Sequence, residues 1–181
     1  MNPSAQLSFF FTVSLIFISA LASPSASAPG TELYQSVCKD AGENANRCLK
    51  FLGGYPKITG AKDYLSLCKS LLEVAIKRAT EGQNYFVAAA KKKPSSAALK
   101  QCSTFFYDGL VRSFESASGE LVESPDTANY DCKVAGDGPV NCNSALMDEK
   151  INDPALSNLN DQMSFLSYVA FLATNHLPQD P

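Results

Sequence analysis

Beyond residue 62 the apolar positions recur at steps of three and four. Over 63–92, Leu65, Cys68, Leu72, Ala75, Ala79, Gly82 and Phe86 are spaced 3, 4, 3, 4, 3 and 4. That is one face of a helix, with no strand alternation. Lys91, Lys92 and Lys93 end the segment, where cations match the negative end of a helix dipole. Pro94 then reads as the first residue of the next helix, a place where its missing N–H costs nothing. From about 94 to 122 a comparable stripe follows: Leu99, Cys102, Phe106, Leu110, Ser113, Ala117 and Leu121. Phe105 and Phe114 widen it and read as core. Ser124 and Pro125 read as an N-cap and a proline at the first helical position, opening a third segment over 124–149. Gly136-Asp137-Gly138-Pro139 interrupts that segment. Pro139 removes a backbone donor and clashes with the preceding turn, so a kink or break is predicted there. Asp153-Pro154 opens the last segment, in which Leu156, Leu159, Met163, Leu166, Ala170, Ala173 and Leu177 form the cleanest amphipathic stripe, ending before Pro178.

Four helices of about 22–30 residues joined by short connections must alternate in direction. An all-α, up-down-up-down four-helix bundle over 63–178 follows. Before it, 31–62 reads as a helical hairpin: Leu33 to Cys38 and Arg47 to Leu52 flank Asp40-Ala41-Gly42-Glu43, and Gly53-Gly54-Tyr55-Pro56 breaks the chain. This leader is too small to bury a core of its own, and needs a staple or a docking surface.

Residues 1–22 read as a secretory signal peptide. Leu7 to Leu21 is almost wholly apolar, and the small-residue triplets Ala20-Leu21-Ala22 and Ala26-Ser27-Ala28 supply cleavage sites, so the boundary lies between 22 and 28. Pro29 disfavours cleavage after Ala28. A membrane anchor is the rival reading, but this run is shorter than the ~20 apolar residues a span needs and is interrupted by serines. The mature chain, with its domain over 31–178, is expected to be secreted to the extracellular space, with no membrane contact after cleavage.

The 181 residues carry a formal charge of −3, one His and six Cys. Mild acidity argues against nucleic acid, which calls for a basic face. With no Gly-rich loop and no nucleophile motif, neither an enzyme nor a cofactor is expected. His176 reads as a helix-end cation rather than a catalytic base, and Asp148-Glu149 as a solvated helix end. A small lipid-carrying helical protein is a third class, ranked low because such carriers are shorter and denser in cysteine.

All six cysteines lie beyond residue 37, and an even number in a secreted chain reads as disulfides. A bridge between Cys38 and Cys48 would close the leader hairpin, stabilising it by about 2–3 kcal/mol through the unfolded chain. Cys102 and Cys142 each stand about twenty residues from the turn near 123, hence at one level on neighbouring antiparallel helices, within reach of a bridge. Cys68 and Cys132 are left over. They form a third disulfide across a diagonal, or two buried thiols, the preferred reading. A zinc site is disfavoured because the spacings match no finger.

With VCKDAGENANRC around Cys38 and Cys48, LKQCSTFFYDGL around Cys102, VNCNSAL around Cys142 and a last helix ending TNHL, the mature chain resembles the plant pectin methylesterase and invertase inhibitors. The resemblance implies a helical hairpin before a four-helix bundle, with Cys38–Cys48 and Cys102–Cys142 paired. Tyr107, five residues after Cys102, fits the aromatic that the family places there. Cys68 and Cys132 depart from the family pattern, as does VAGDGPVN before Cys142. The resemblance further implies inhibition by docking, one to one, on a pectin methylesterase or, alternatively, on a cell-wall or vacuolar invertase. Invertase inhibitors resemble one another in a Pro-Lys-Phe motif opening the third bundle helix. Here that place holds Pro125-Asp126-Thr127, which favours pectin methylesterase. Acidic residues on a docking face would make the complex sensitive to wall pH.

Overall fold

The longest helix begins where the chain supplies its own cap. Asp63 is extended, and its Oδ1 accepts from the Ser66 amide at 2.7 Å, while the Ser66 hydroxyl lies 3.3 Å from the Asp63 amide, a reciprocal capping box. The bonds from Ser66 hold the Asp63 carboxyl below its usual range. From there α4 (Tyr64–Lys92) runs unbroken. The computed structural model describes residues 29–178; the expected signal segment lies outside them.

Three short helices precede α4: α1 (Pro29–Asp40), α2 (Ala45–Leu52) and α3 (Pro56–Thr59). After it come α5 (Ala97–Gln101), a π-helical turn (Cys102–Phe106), α6 (Tyr107–Glu120), α7 (Pro125–Val134), α8 (Asp137–Asp148) and α9 (Pro154–Thr174). No strand occurs among the described residues. The bundle has four members: α4, the α5–π–α6 rod, the α7–α8 rod and α9. Neighbours around it are α4 with α6, α6 with α7, α7 with α9 and α9 with α4, leaving α4 and α7 on a diagonal. The hairpin packs on the bundle chiefly through α1, against α9 and α4.

Several local expectations shift. Pro94 does not open a helix: it lies in the turn, and Ser96 caps α5 by accepting from the Leu99 amide at 3.1 Å. The Ser124 side chain makes no cap bond; its hydroxyl pairs with the Thr127 hydroxyl at 2.7 Å. The third rod breaks at Ala135-Gly136, upstream of Pro139, because a proline clashes with the carbonyl four residues before it. Pro139 itself sits in the first turn of α8. The core phase survives the break, since Ala128, Cys132, Ala135, Pro139, Cys142 and Leu146 are all buried. The α9 helix is buried well beyond one stripe, because the hairpin covers a second side. Phe165, Val169 and Leu172 are buried along with the expected residues, except Leu159, which is half-buried. No helix among the described residues is long and apolar enough to cross a membrane.

Candidate functional site

Two disulfides pin the fold at different levels. Cys38 and Cys48, with Cα atoms 5.3 Å apart, join α1 to α2 around Gly42, whose φ of 56° is a conformation that suits glycine. Cys102 and Cys142, with Cα atoms 5.1 Å apart, tie the π turn to α8. Cys68 and Cys132 are buried free thiols on the diagonal helices α4 and α7. Burial pushes each thiol up to about 12, and for Cys68 the nearby Cys132 adds to it.

The π turn changes which side chains point inward. The Tyr107 amide donates to the Cys102 carbonyl, five residues back, so one extra residue is accommodated. Tyr107 therefore takes the core position expected of Phe106, and its ring meets Phe86 at 4.7 Å between centroids. Phe105, expected in the core, is 74% exposed. Two glycines make room. A Cβ on Gly82 would lie 2.7 Å from the Tyr107 ring, and one on Gly138 would run into the Phe106 carbonyl oxygen. Gly138 thus lets α8 cross directly over the widened turn, while Gly136, where a Cβ would lie 2.9 Å from the Ser167 hydroxyl, makes room for α9.

Tyr107 also anchors a buried polar chain. Its hydroxyl donates to Asn160 Oδ1 at 2.8 Å, and Asn160 Nδ2 donates to Asn143 Oδ1 at 2.7 Å. Burial raises the Tyr107 phenol well above its usual value, keeping it a neutral donor. Three bundle members, α6, α9 and α8, are thereby joined through one residue. Sequence periodicity missed Asn160, Ser167 and Thr174, although all three fall at core phase in α9: Leu156, Asn160, Met163, Ser167, Ala170, Thr174 and Leu177 step by 4, 3, 4, 3, 4 and 3. Each polar side chain there is bonded. Ser167, for example, donates to the Cys132 carbonyl at 2.7 Å.

The outer side of the π turn faces solvent across a groove of about 320 Å³ between α6 and α8. Phe105, Gly109 and Val134 give it an apolar wall, and Asp108 and Asp137 stand on its rim. Val140 and Met147, on α8, are likewise exposed. At the start of α7, Pro125 is buried while Asp126 and Thr127 face solvent.

Glu149 is not simply a solvated end. Its carboxylate accepts from the Ser96 hydroxyl and from the Ala98 amide, the latter at 2.8 Å, closing the N-terminus of α5. These bonds, the Ser96 hydroxyl first, lower its pKa. His176 does more than end α9. Its Nε2 lies 2.9 Å from Asp40 Oδ2, and its ring stacks on Tyr64 at 4.3 Å, joining α1, α4 and the chain end. Arg47 makes a second link from hairpin to bundle: Nη2 lies 2.6 Å from Asp161 Oδ2, and the guanidinium sits 4.0 Å above the Phe165 ring. Among the described residues no group of three or more His, Cys, Asp and Glu side chains could hold a metal ion.

This architecture has known counterparts. The chain is similar to a mutant form of a pectin methylesterase inhibitor from Arabidopsis, with a TM-score of 0.71 at 22% identity, covering 83% of this chain and 99% of the other. It is also similar to a pectin methylesterase inhibitor from Arabidopsis thaliana, with a TM-score of 0.60 at 21% identity and the same coverage of 83% and 99%. At such identity the likeness speaks to the fold. A search of curated proteins found no match. The family model for plant invertase/pectin methylesterase inhibitors matches residues 32–175, which takes in both disulfides, the π turn and every helix of the bundle. The chain belongs to the plant invertase/pectin methylesterase inhibitor family.

Proposed function

We propose that this chain is a secreted inhibitor that docks one to one on a plant pectin methylesterase and blocks it without chemistry of its own. The observation that carries the reading is the family match over 32–175. A disulfide-tied bundle loses little freedom on docking, which favours affinity. Residues 1–22 act as the signal peptide, the inhibitory domain spans 31–178, and the site of action is the apoplast. Cys68 and Cys132 act as packing side chains. Invertase is the weaker target, because Pro125-Asp126-Thr127 offers neither the cation nor the aromatic expected of an invertase inhibitor, and Thr127 is engaged with Ser124. The exposed Phe105 and the acidic rim of Asp108 and Asp137 are a face on which to test docking.

The deciding experiment is a titration of the oxidised mature chain against a plant pectin methylesterase and an acid invertase. Loss of pectinesterase activity at near-equimolar inhibitor is the expected result. Loss of invertase activity alone would overturn it.

A further inference from the structure

A second open cleft, of about 540 Å³, lies where the hairpin meets α4 and α9. Its lining includes Arg47, Lys50 and Arg78 with Phe51, Tyr55 and Gln162, and no carboxylate. This is unusual in a chain of net charge −3. The adjoining cleft of about 510 Å³ shares Arg78 but differs in that its two lysines are balanced. There Lys57 pairs with Glu73 at 2.9 Å and Lys77 with Glu81 at 4.0 Å. In the 540 Å³ cleft only Arg47 is neutralised, by Asp161. Lys50 and Arg78 enter no ion pair among the described residues.

The aromatic side chains add shape. Phe51 and Tyr55 are half-buried, with ring centroids 5.2 Å apart. Arg78 Nη2 donates to the Tyr55 hydroxyl at 3.0 Å, which holds the guanidinium beside the ring and leaves its other N–H donors free. A planar guanidinium offers paired donors that match a carboxylate, and Lys50 adds a mobile point charge. Ring faces suit the C–H face of a pyranose. A cleft of this volume is within the range of ligand sites, about 300–1,000 Å³.

We propose that this cleft binds a carboxylated sugar ring within an oligouronate chain. The cationic cleft stands on its own geometry. The choice of galacturonate as the uronate rests on the target proposed above, whose reaction turns methyl esters into free carboxylates. The inhibitor would then be held where de-esterified polymer accumulates, through a surface separate from the Phe105 groove.

The test is calorimetry or amide-shift titration of the oxidised mature chain with oligogalacturonate, beside the fully methyl-esterified oligomer. Binding is expected for the acid form and not for the ester, weakening as salt rises. Lys50→Glu and Arg78→Gln, both exposed positions, should each weaken it about tenfold, since attraction is lost or reversed. Lys100→Glu, on α5, should leave it unchanged. Absence of binding, equal binding of the ester, or equal loss in Lys100→Glu would each overturn the proposal. Failure of pectinesterase inhibition with binding retained would sink the inhibitor reading alone. Inhibition retained without oligogalacturonate binding would sink the cleft alone.

Discussion

The hairpin and the bundle each carry one disulfide, yet they are held in different ways. In the bundle, Cys102–Cys142 lies inside a continuous core with Leu99, Leu110, Phe114 and Leu146. The hairpin adds only a few residues to that core, chiefly Val37, Cys38, Cys48 and Leu52, and two surface links supplement them: Arg47 onto Asp161 and Phe165, His176 onto Asp40 and Tyr64. The comparison teaches that the bundle's bridge fixes a register many core residues already prefer, whereas the hairpin's bridge reinforces a region with a small share of that core. Sub-global opening should therefore begin in the hairpin.

The sharpest way to break this comparison is to remove each bridge. Cys102→Ala with Cys142→Ala releases a 40-residue constraint and should cost about 4 kcal/mol, seen as loss of global stability in urea denaturation. Cys38→Ala with Cys48→Ala releases a separation of 10 and should cost about 3 kcal/mol. That loss should register as fast amide exchange over 32–52 while α4 to α9 stay protected. Equal deprotection of both regions would show that they open as one unit. Gly138→Ala puts a methyl against the Phe106 carbonyl and should cost about 1–3 kcal/mol, with altered amide shifts over 102–107. Arg47→Ala removes one partly exposed link and should cost about 1 kcal/mol, confined to hairpin exchange.

Acid gives the smallest and most local effect. Glu149 has a lowered pKa in the folded chain, so its cap is fully present above the ordinary value of 4.5 and is lost as pH falls below it. Protection of amides 97–99, taken relative to their intrinsic exchange rates, should fall as pH drops through that region, and Glu149→Gln should flatten the dependence. Protection of those amides that stays flat with pH in the unaltered chain would remove the capping role.

Much of this fold was legible because helix phase is written in spacing. The stripes in α4 and α9, the breaks at Gly53-Gly54 and before Pro139, and the helical leader all follow from local chemistry. Phe105 and Phe106 were misplaced because periodicity assumes 3.6 residues per turn, and the π turn adds one. Asn160, Ser167 and Thr174 escaped because a polar side chain at core phase reads as a flaw until its partner on another helix is known. Arg47, Glu149 and His176 act through partners 51 to 136 residues away, a separation that local pattern does not encode. The groove beside Phe105 was illegible for the same reason as Phe105 itself.

The π turn also decides which lengths of chain this fold tolerates. An ordinary helix advances about 100° per residue, so five residues from Cys102 would leave Tyr107 some 140° around the axis from the bridge. The widened turn shrinks that angle, so one rod can serve both the disulfide and the tyrosine. Deleting one residue of 103–106 would leave the bridge and the tyrosine four positions apart, about 40° around a regular helix, so both would still face the core. The segment should thus tolerate the loss of one residue at Phe105, whose side chain is exposed, while losing the outward face that the widened turn presents.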